Sequence, residues 1–394
     1  MPATHNRMAS NGKAVTPSRP SILLLFLSTA KMNSAHELTT LIAALRDLHA
    51  QATPKAALAT LTRTRGSTFR RPGTRMLVLG DGQVVCELSG GCPQRDIVAR
   101  ALEVIASGEP RLVGYNAESG LDVLIEMGCG GELEVLIEPL LAIRDTDFID
   151  TIARLLDERR PLHMATLFAL DGKTVLPRRL VWNGNGVAYD AIGDASAVQA
   201  ILLHASASAI RRASTLSIPS VQGVADVLVE AIAPPHALVV IGSSAAARAL
   251  LPLASALGWR TTLVDHDPAR LRADDLPAGL HTACASPQQL MEAVALDAHS
   301  SVVVMTHNLE QDIAYLAALR NAPVAYIGAL GSRERVARMR SSPVLNSMHV
   351  HAPAGLDIGS ETPEEIALAI AGEIIAVING RNGGHLRDND GAIH

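Results

Sequence analysis

The sequence predicts an α/β protein in two parts: an N-terminal mixed α+β domain carrying a duplicated strand-hairpin unit, and a C-terminal Rossmann-like doubly wound parallel sheet. Three observations carry that prediction. The stretch "LATLTRTRGSTFRRPGTRMLVLGDGQVV" aligns with "MATLFALDGKTVLPRRLVWNGNGVAYD", pairing Ala59-Thr60 with Ala165-Thr166, Gly66 with Gly172, and Gly80-Asp81-Gly82 with Gly184-Asn185-Gly186. From residue 237 the pattern changes to an apolar strand, a glycine turn, an Ala/Leu-rich helix and a second strand ending at Asp265, one complete βαβ unit. The chain of 394 residues is also too long for one ordinary core.

The elements follow in order. Within "HELTTLIAALRDLHAQ", Leu38, Leu41, Ile42, Leu45 and Leu48 repeat at three-and-four spacing, which predicts an amphipathic helix. "AALATLTRTRG" reads as a strand, and "TRMLVLGDGQVVCELSG" as a hairpin turning on Asp81-Gly82. A helix follows Cys92, with Ile97, Val98, Ala101, Leu102 and Ile105 on its apolar face and Gly108 at its end. "LDVLIEMGCGGELEVLIEPL" reads as two strands joined by the turn at 128–131. Residues 213–236, ending in Pro234-Pro235, read as a linker plus a short helix. In the second half, Gly258 is the expected helix C-terminal cap, and "SVVVMTH", "PVAYIGA" and "MHVHAP" are strand candidates.

The domain boundaries drawn from this are 1–31 as a leader or an extension ahead of the folding sequence, 32–212, a linker at 213–236, 237–380, and a tail at 381–394. "RPSILLLFLSTAKMNSA" has basic residues before a short apolar run, yet the run falls below the ~20 residues that span a bilayer. No other segment is long and apolar enough to be a membrane span. Net charge is −5 with both signs interleaved, so neither nucleic acid nor a membrane surface is an expected partner. The four cysteines, Cys86, Cys92, Cys129 and Cys284, include no CxxC pair; scattered thiols of this kind fit a reducing cytoplasm.

Two regions invite chemistry. Pro93 suits the first turn of a helix, which puts Cys92 or a close neighbour at its N-cap, where the macrodipole and orphan N–H groups favour a thiolate. Gly90 and Gly91 let a ligand approach that backbone, and Cys129 sits in a similarly open glycine turn. Soft thiolates suit soft or redox-active metals. Arg63, Arg65, Arg70, Arg71 and Arg75 cluster close by in sequence and suit a phosphate or a dithiolene-pterin anion. A small buried hydrophobe is the competing reading of each cysteine, and the default for Cys86 and Cys284. A solvated face is the competing reading of the arginines. The second region is the Rossmann turn, where Gly242 and an acid 23 residues on, Asp265, match a dinucleotide-binding pattern, so NAD(P) is a possible cofactor. Ser244, however, stands where close phosphate approach wants no Cβ. His307 follows a strand at the ligand-binding edge with Asp312 five residues on, the basis of an alternative reading as an NAD(P)-dependent oxidoreductase.

Taken together, "RTRGSTFRRPGTRMLV", "LSGGCPQRDIV", "GCGGELEVLIEP", "VVMTHNLEQDIAYLAAL", "YIGALGSRERVARM" and "PAGLDIGSETPEEIALAIAGEIIA" resemble, in this order, the XdhC/CoxI family of xanthine dehydrogenase accessory proteins. The resemblance spans about residues 36–380. It implies a molybdenum cofactor chaperone that binds and protects the molybdopterin-type cofactor. Such a protein presents the cofactor for sulfuration by a cysteine desulfurase and delivers it to an apo molybdenum hydroxylase. By resemblance, Cys92 is the molybdenum contact and Cys129 the second thiol, with a cleft shared with the Rossmann half and a homodimer both compatible. The chain departs from the family pattern at Ser243, Ser244 and Ala245, which replace a Gly-Ala-Gly-His-like turn, and at Pro93. A noncatalytic scaffold joining desulfurase and target enzyme is a third reading.

Overall fold

A computed structural model describes residues 35–388, apart from 52–54, 67, 89–91, 117–130, 208–209, 211, 272–275, 277–278, 344 and 346–347, and apart from the side chains of 35, 36 and 92. The chain is α/β as predicted, with three five-stranded sheets among the described residues. The first comprises β1 (Ala56–Arg65), β2 (Arg75–Leu79), β3 (Val84–Val85), β4 (Arg111–Tyr115) and β5 (Glu132–Leu140), ordered β3-β2-β1-β5-β4 and antiparallel throughout. The second comprises β6 (Leu162–Leu170), β7 (Lys173–Asn183), β8 (Gly186–Asp190), β9 (Ser214–Ser220) and β10 (Gly223–Ile232), ordered β8-β7-β6-β10-β9. The two orders are the same, so the duplication seen in the sequence is a duplication of fold. It extends to the helices: α1 (Ala35–His49) and α3 (Phe148–Asp157) precede β1 and β6, while α2 (Cys92–Ser107) and α4 (Ala195–Ala207) occupy the matching later positions.

This symmetry corrects the linker. Residues 213–236 contain β9 and β10, and β10 is a central strand paired on both sides, so the segment completes the second sheet. Its alternation was masked because Val227, Leu228 and Val229 are all buried, as expected for a strand covered on both faces. Likewise β5 pairs with β1 and with β4, a strand that the sequence patterns did not suggest; the strand expected before the 128–131 turn lies outside the described residues.

Both faces of β1 are buried. Ala57, Ala59 and Leu61 pack with Ile97, Ala101 and Val104 of α2, whose inward face thus includes Val104 and leaves Leu102 exposed. Ala56 and Leu58 face a second core shared with Leu41 and Leu45 of α1, Phe148 and Ile152 of α3, and Met164 and Val181 of the second sheet. Between the sheets lie two charge pairs in pseudo-equivalent places: Arg75 of β2 with Glu230 of β10, and Arg179 of β7 with Glu138 of β5, all at most 5% exposed. Gly73 is required beside the first, since its φ is +89° and a Cβ there would lie 2.6 Å from Glu230 Oε2.

The third sheet, β11 (Ala237–Ile241), β12 (Arg260–Asp265), β13 (His281–Cys284), β14 (Ser300–Val304) and β15 (Tyr326–Ala329), is parallel and ordered β13-β12-β11-β14-β15. Its helices are α5 (Ala245–Ala256), α6 (Leu290–Ala293), α7 (Leu309–Ala318), α8 (Arg333–Arg340) and α9 (Pro363–Ile378). Gly258, φ +76°, ends α5 as expected. "MHVHAP" forms no strand, only the bridge His351–Gly328. The default of Cys284 to the core also fails: it lies exposed in β13, which among the described residues is an edge strand, paired only with β12.

The halves are joined by Arg159, whose guanidinium donates to Asp297 Oδ2 and Oδ1 at 2.6 and 2.9 Å, to Pro235 O at 3.0 Å and to His299 O at 3.2 Å. Beside it His236 is buried against Trp259 and bonded to Ser301 Oγ at 2.8 Å. Burial, with like charge from His299 and Arg159, pulls its pKa down to about 3.

Two outcomes follow from this packing. Glu230→Gln leaves Arg75 without its counter-charge and is expected to cost about 3–5 kcal/mol, read as a lower urea midpoint, whereas replacing both Arg75 and Glu230 by apolar residues of similar volume should recover most of it. For His236 the folded state takes a proton only near pH 3, while the unfolded chain takes it near 6.5. Stability is therefore present above 6.5 and lost as pH falls, by roughly 1–2 kcal/mol between pH 6.5 and 5, and His236→Asn should flatten that dependence.

Candidate functional site

A cleft of about 840 Å³ opens where the three sheets' units meet. The first copy contributes Arg63 and Arg65 from the end of β1, Arg71 and Pro72 from the following loop, Gly114 and Asn116 at the end of β4, and Glu132 and Glu134 at the start of β5. The second copy contributes Arg212 to Thr215, and the C-terminal half contributes Asn379 and Arg381 just past α9. Among the described residues, five guanidinium groups and two carboxylates thus line one opening. The junction is held by Thr215 Oγ1, which donates to Thr62 O at 2.8 Å, and by Arg63, which reaches Asp226 of the second sheet at 3.0 Å.

The expected arginines separate into two groups. Arg65 and Arg71 line the cleft, Arg65 86% exposed with Glu132 at 3.8 Å. Arg70 turns to α1, where it donates to both carboxylate oxygens of Glu37 at 2.8 and 3.1 Å. Arg75 is in the intersheet core with Glu230 and is not part of the cleft wall. Spacing could not separate these fates, because loop and strand residues of one run point to different partners. Arg212 and Arg381 were missed; the only sequence traces were the Arg211-Arg212 doublet and an arginine after a helix-ending Asn-Gly.

Of the thiols, Gly90, Gly91 and Cys129 lie outside the described residues, as does the Cys92 side chain, although α2 begins at Cys92. The flanks are informative. Glu132, three residues after Cys129, lines the cleft. One turn into α2, Asp96 accepts from Tyr115 Oη of β4 at 2.7 Å and from Arg100 Nε at 2.6 Å, and the next residue after Tyr115, Asn116, lines the cleft. Burial and Asp96 together push the Tyr115 pKa up, so the phenol stays a donor. Cys86 is half-buried at φ +65°, its Sγ donating to Glu37 O at 3.3 Å, and burial raises its pKa. Among the described residues no three His, Cys, Asp or Glu side chains gather as a metal site.

The Rossmann crevice is smaller, about 220 Å³, and includes Gly242, Asp265 and His307. Its parts are already engaged. Gly242, φ +98°, lies where a Cβ would come within 2.8 Å of Thr306 N and 2.9 Å of the Met305 carbonyl, so the glycine serves strand packing. Asp265 is buried and accepts from Ser243 Oγ at 3.0 Å and from the Asp267 amide at 3.0 Å, with His266 Nδ1 at 3.2 Å. Ser244 Oγ caps α5 by accepting from Ala247 N. Asp312 does not face His307; its carboxylate accepts from Thr306 Oγ1 and Arg335 Nη2, each at 2.5 Å. Burial raises its pKa against the pull of those donors.

Comparison with known proteins decides the family. The XdhC and CoxI family model matches residues 49–116, and the XdhC Rossmann domain model residues 238–374. The chain belongs to the XdhC/CoxI family. Relatives of this XdhC/CoxI protein include a probable xanthine dehydrogenase subunit of Bacillus subtilis (strain 168), 28% identical over 82% of this chain and 92% of that one. The molybdenum cofactor insertion chaperone PaoD of Escherichia coli (strain K12) is 24% identical over 82% and 83%. A crystal structure described as a xanthine dehydrogenase from Bacillus halodurans has the same fold, with TM-score 0.70 and 24% identity over 86% of this chain and 96% of that chain. No described helix of the XdhC/CoxI chain is long and apolar enough to cross a membrane.

Gly242→Ala is expected to destabilise the C-terminal half by roughly 2 kcal/mol or more, from the positive φ together with a backbone clash. Thermal unfolding without added nucleotide measures it. Isothermal titration with NAD and NADP should give no saturable binding; binding abolished by Asp265→Ala would restore the dinucleotide role.

Proposed function

We propose that this chain is a molybdenum cofactor carrier that binds the molybdopterin-type cofactor, shields it and hands it to an apo hydroxylase of the xanthine dehydrogenase type. The observation that carries the reading is the arginine-rich cleft at the junction of the three units, in a chain whose relatives include a molybdenum cofactor insertion chaperone. Its donor set fits an anionic pterin: guanidinium forks bind phosphate and other delocalised anions through paired N–H groups, and the size is that of a small-molecule site. Arg65 and Arg71 bind the anion. Arg63, fixed by Glu134 at 2.7 Å and by Asp226, holds the wall in shape.

Cys92, at the start of α2, is the proposed thiolate contact to the metal of this cargo, and Cys129 the second thiol. Both are linked in sequence or through the Asp96–Tyr115 bond to residues of the cleft rim. A thiolate at a helix start is favoured by the N-terminal dipole. A cysteine desulfurase that supplies the sulfido ligand is the further partner this reading calls for. The rim, open between the halves, is where both partners would reach the cargo.

Purification from a molybdenum-replete host followed by molybdenum analysis and detection of oxidised pterin tests the reading. Near-stoichiometric pterin, with molybdenum lowered on the order of tenfold in Cys92→Ala, is the expected result. No bound pterin in the unsubstituted chain would overturn it.

A further inference from the structure

Each hydrophobic core cluster among the described residues lies wholly within one half, either before residue 233 or after residue 237. The junction between the halves is therefore polar, the kind that lets domains move against each other. The connection is also short. β10 ends at Ile232, inside the first half's core, while His236 is bonded to Ser301 and lies edge-on to Trp259 in the second. Residues 233–235, Ala-Pro-Pro, lie between those anchors. We propose that Arg159 is the latch of a hinge at 233–235, and that its release swings the Rossmann half off the cleft and lets a bound ligand out. The proposal rests on the carrier reading for what is released, but not for the movement itself.

Three features single out this arginine. Its guanidinium, 14% exposed, directs four hydrogen bonds across the junction: two to Asp297 and one to His299 O in the Rossmann half, and one to Pro235 O in the hinge itself. Burial pushes the Asp297 carboxyl up, but the hydrogen bonds and charge of Arg159, with Ser300 and the His299 amide, outweigh it and hold its pKa below the usual value. The contact is thus ionic. Second, Arg159 takes φ +55°, a strained conformation for a residue with a Cβ and one that helix ends commonly give to glycine. Its amide donates to Leu156 O at 3.0 Å and that of Arg160 to Leu155 O at 2.8 Å, closing α3. A glycine would close the helix with less strain, so the strain is offset by what the side chain holds. Third, another ion pair across the junction, Arg260 Nη2 to Asp157 Oδ1 at 2.7 Å, is exposed at both ends and adds little.

The latch and the cleft are separate places on one junction. Arg159, Pro235, Asp297 and His299 are not among the cleft's lining residues, whose Rossmann members are Asn379 and Arg381. A rotation about 233–235 therefore moves Asn379 and Arg381 against Arg65 and Thr215 of the first half while leaving each half's core intact. A ligand that touches both sides favours the closed arrangement, and the latch favours it independently. Breaking the latch then raises the population of the open form and shortens the time a ligand stays.

The test compares small-angle X-ray scattering of the full chain with that of Arg159→Asn, which keeps a residue tolerant of positive φ, and of Asp297→Asn, which keeps the acceptor's shape. A larger radius of gyration is expected in both, with circular dichroism unchanged. Loss of copurified pterin during timed dialysis, read as its fluorescent oxidised form, should be about tenfold faster in both. Arg154→Gln removes an exposed pair with Glu158 inside the first half, and should scatter and release as the unsubstituted chain does. Should one variant fail to fold, the other decides. Unchanged scattering, or expansion with unchanged pterin release, overturns the latch. A chain that carries no pterin, yet whose variants expand, supports the latch and sinks the carrier reading. A chain that carries pterin, and whose variants neither expand nor release it faster, sinks the latch and leaves the carrier reading standing.

Discussion

The N-terminal half depends on two crossed ion pairs, Arg75 with Glu230 and Arg179 with Glu138, that bridge its duplicated sheets. Removing a charge from water is costly, and a buried pair repays that cost only when both partners are held in position. Here the requirement is met by symmetry: each sheet supplies one arginine and one glutamate to the other. Gly73 leaves room for Glu230, and Arg75 Nη1 also donates to Gly73 O at 2.8 Å. The pairs thereby define how one copy sits on the other, which hydrophobic burial alone, being non-directional, would leave less specified.

The cleft is a consequence of that docking. Once the copies are joined, the end of β1 and the starts of β5 and β9 come together, and Arg159 secures the Rossmann half through Asp297 and two backbone carbonyls. The end of α9 then completes the wall. The functional proposal therefore concerns a place between units, where movement of one half relative to the other would alter how a ligand is held. A carrier that must first retain and then release its cargo has use for such a site. By contrast, the groups at the Rossmann switch point are taken up by their own bonds: Ser243 donates to Asp265, and the backbone just past β14 lies against Gly242. The fold persists there because strand packing needs the same glycine that a nucleotide would.

How much was legible differs by residue. The helix at 35–49, the hairpin on Asp81-Gly82 and the βαβ unit ending at Asp265 follow from periodicity and turn chemistry, which act over a few residues and are written in them. The duplication was readable as far as β8 but not into β9 and β10, because a central strand buried on both faces loses the alternation that marks a half-exposed one. Cys284 was read as core since it follows a strand pattern, yet an edge strand leaves its last residue in solvent.

For the site, local pattern supplies the inventory: glycine-flanked thiols, a run of arginines from the end of β1 to the start of β2, and motifs shared with the XdhC/CoxI family. Which of these residues reach the cleft depends on how the sheets pack in space. Arg75 turns to Glu230 and Arg70 to Glu37, while Arg212 and Arg381 join the cleft wall from segments that carry no local signal. The physical reason is that an arginine's role is set by the nearest anion in space. That anion is brought by strand order and by the docking of two copies and a Rossmann half, which no spacing along the chain encodes.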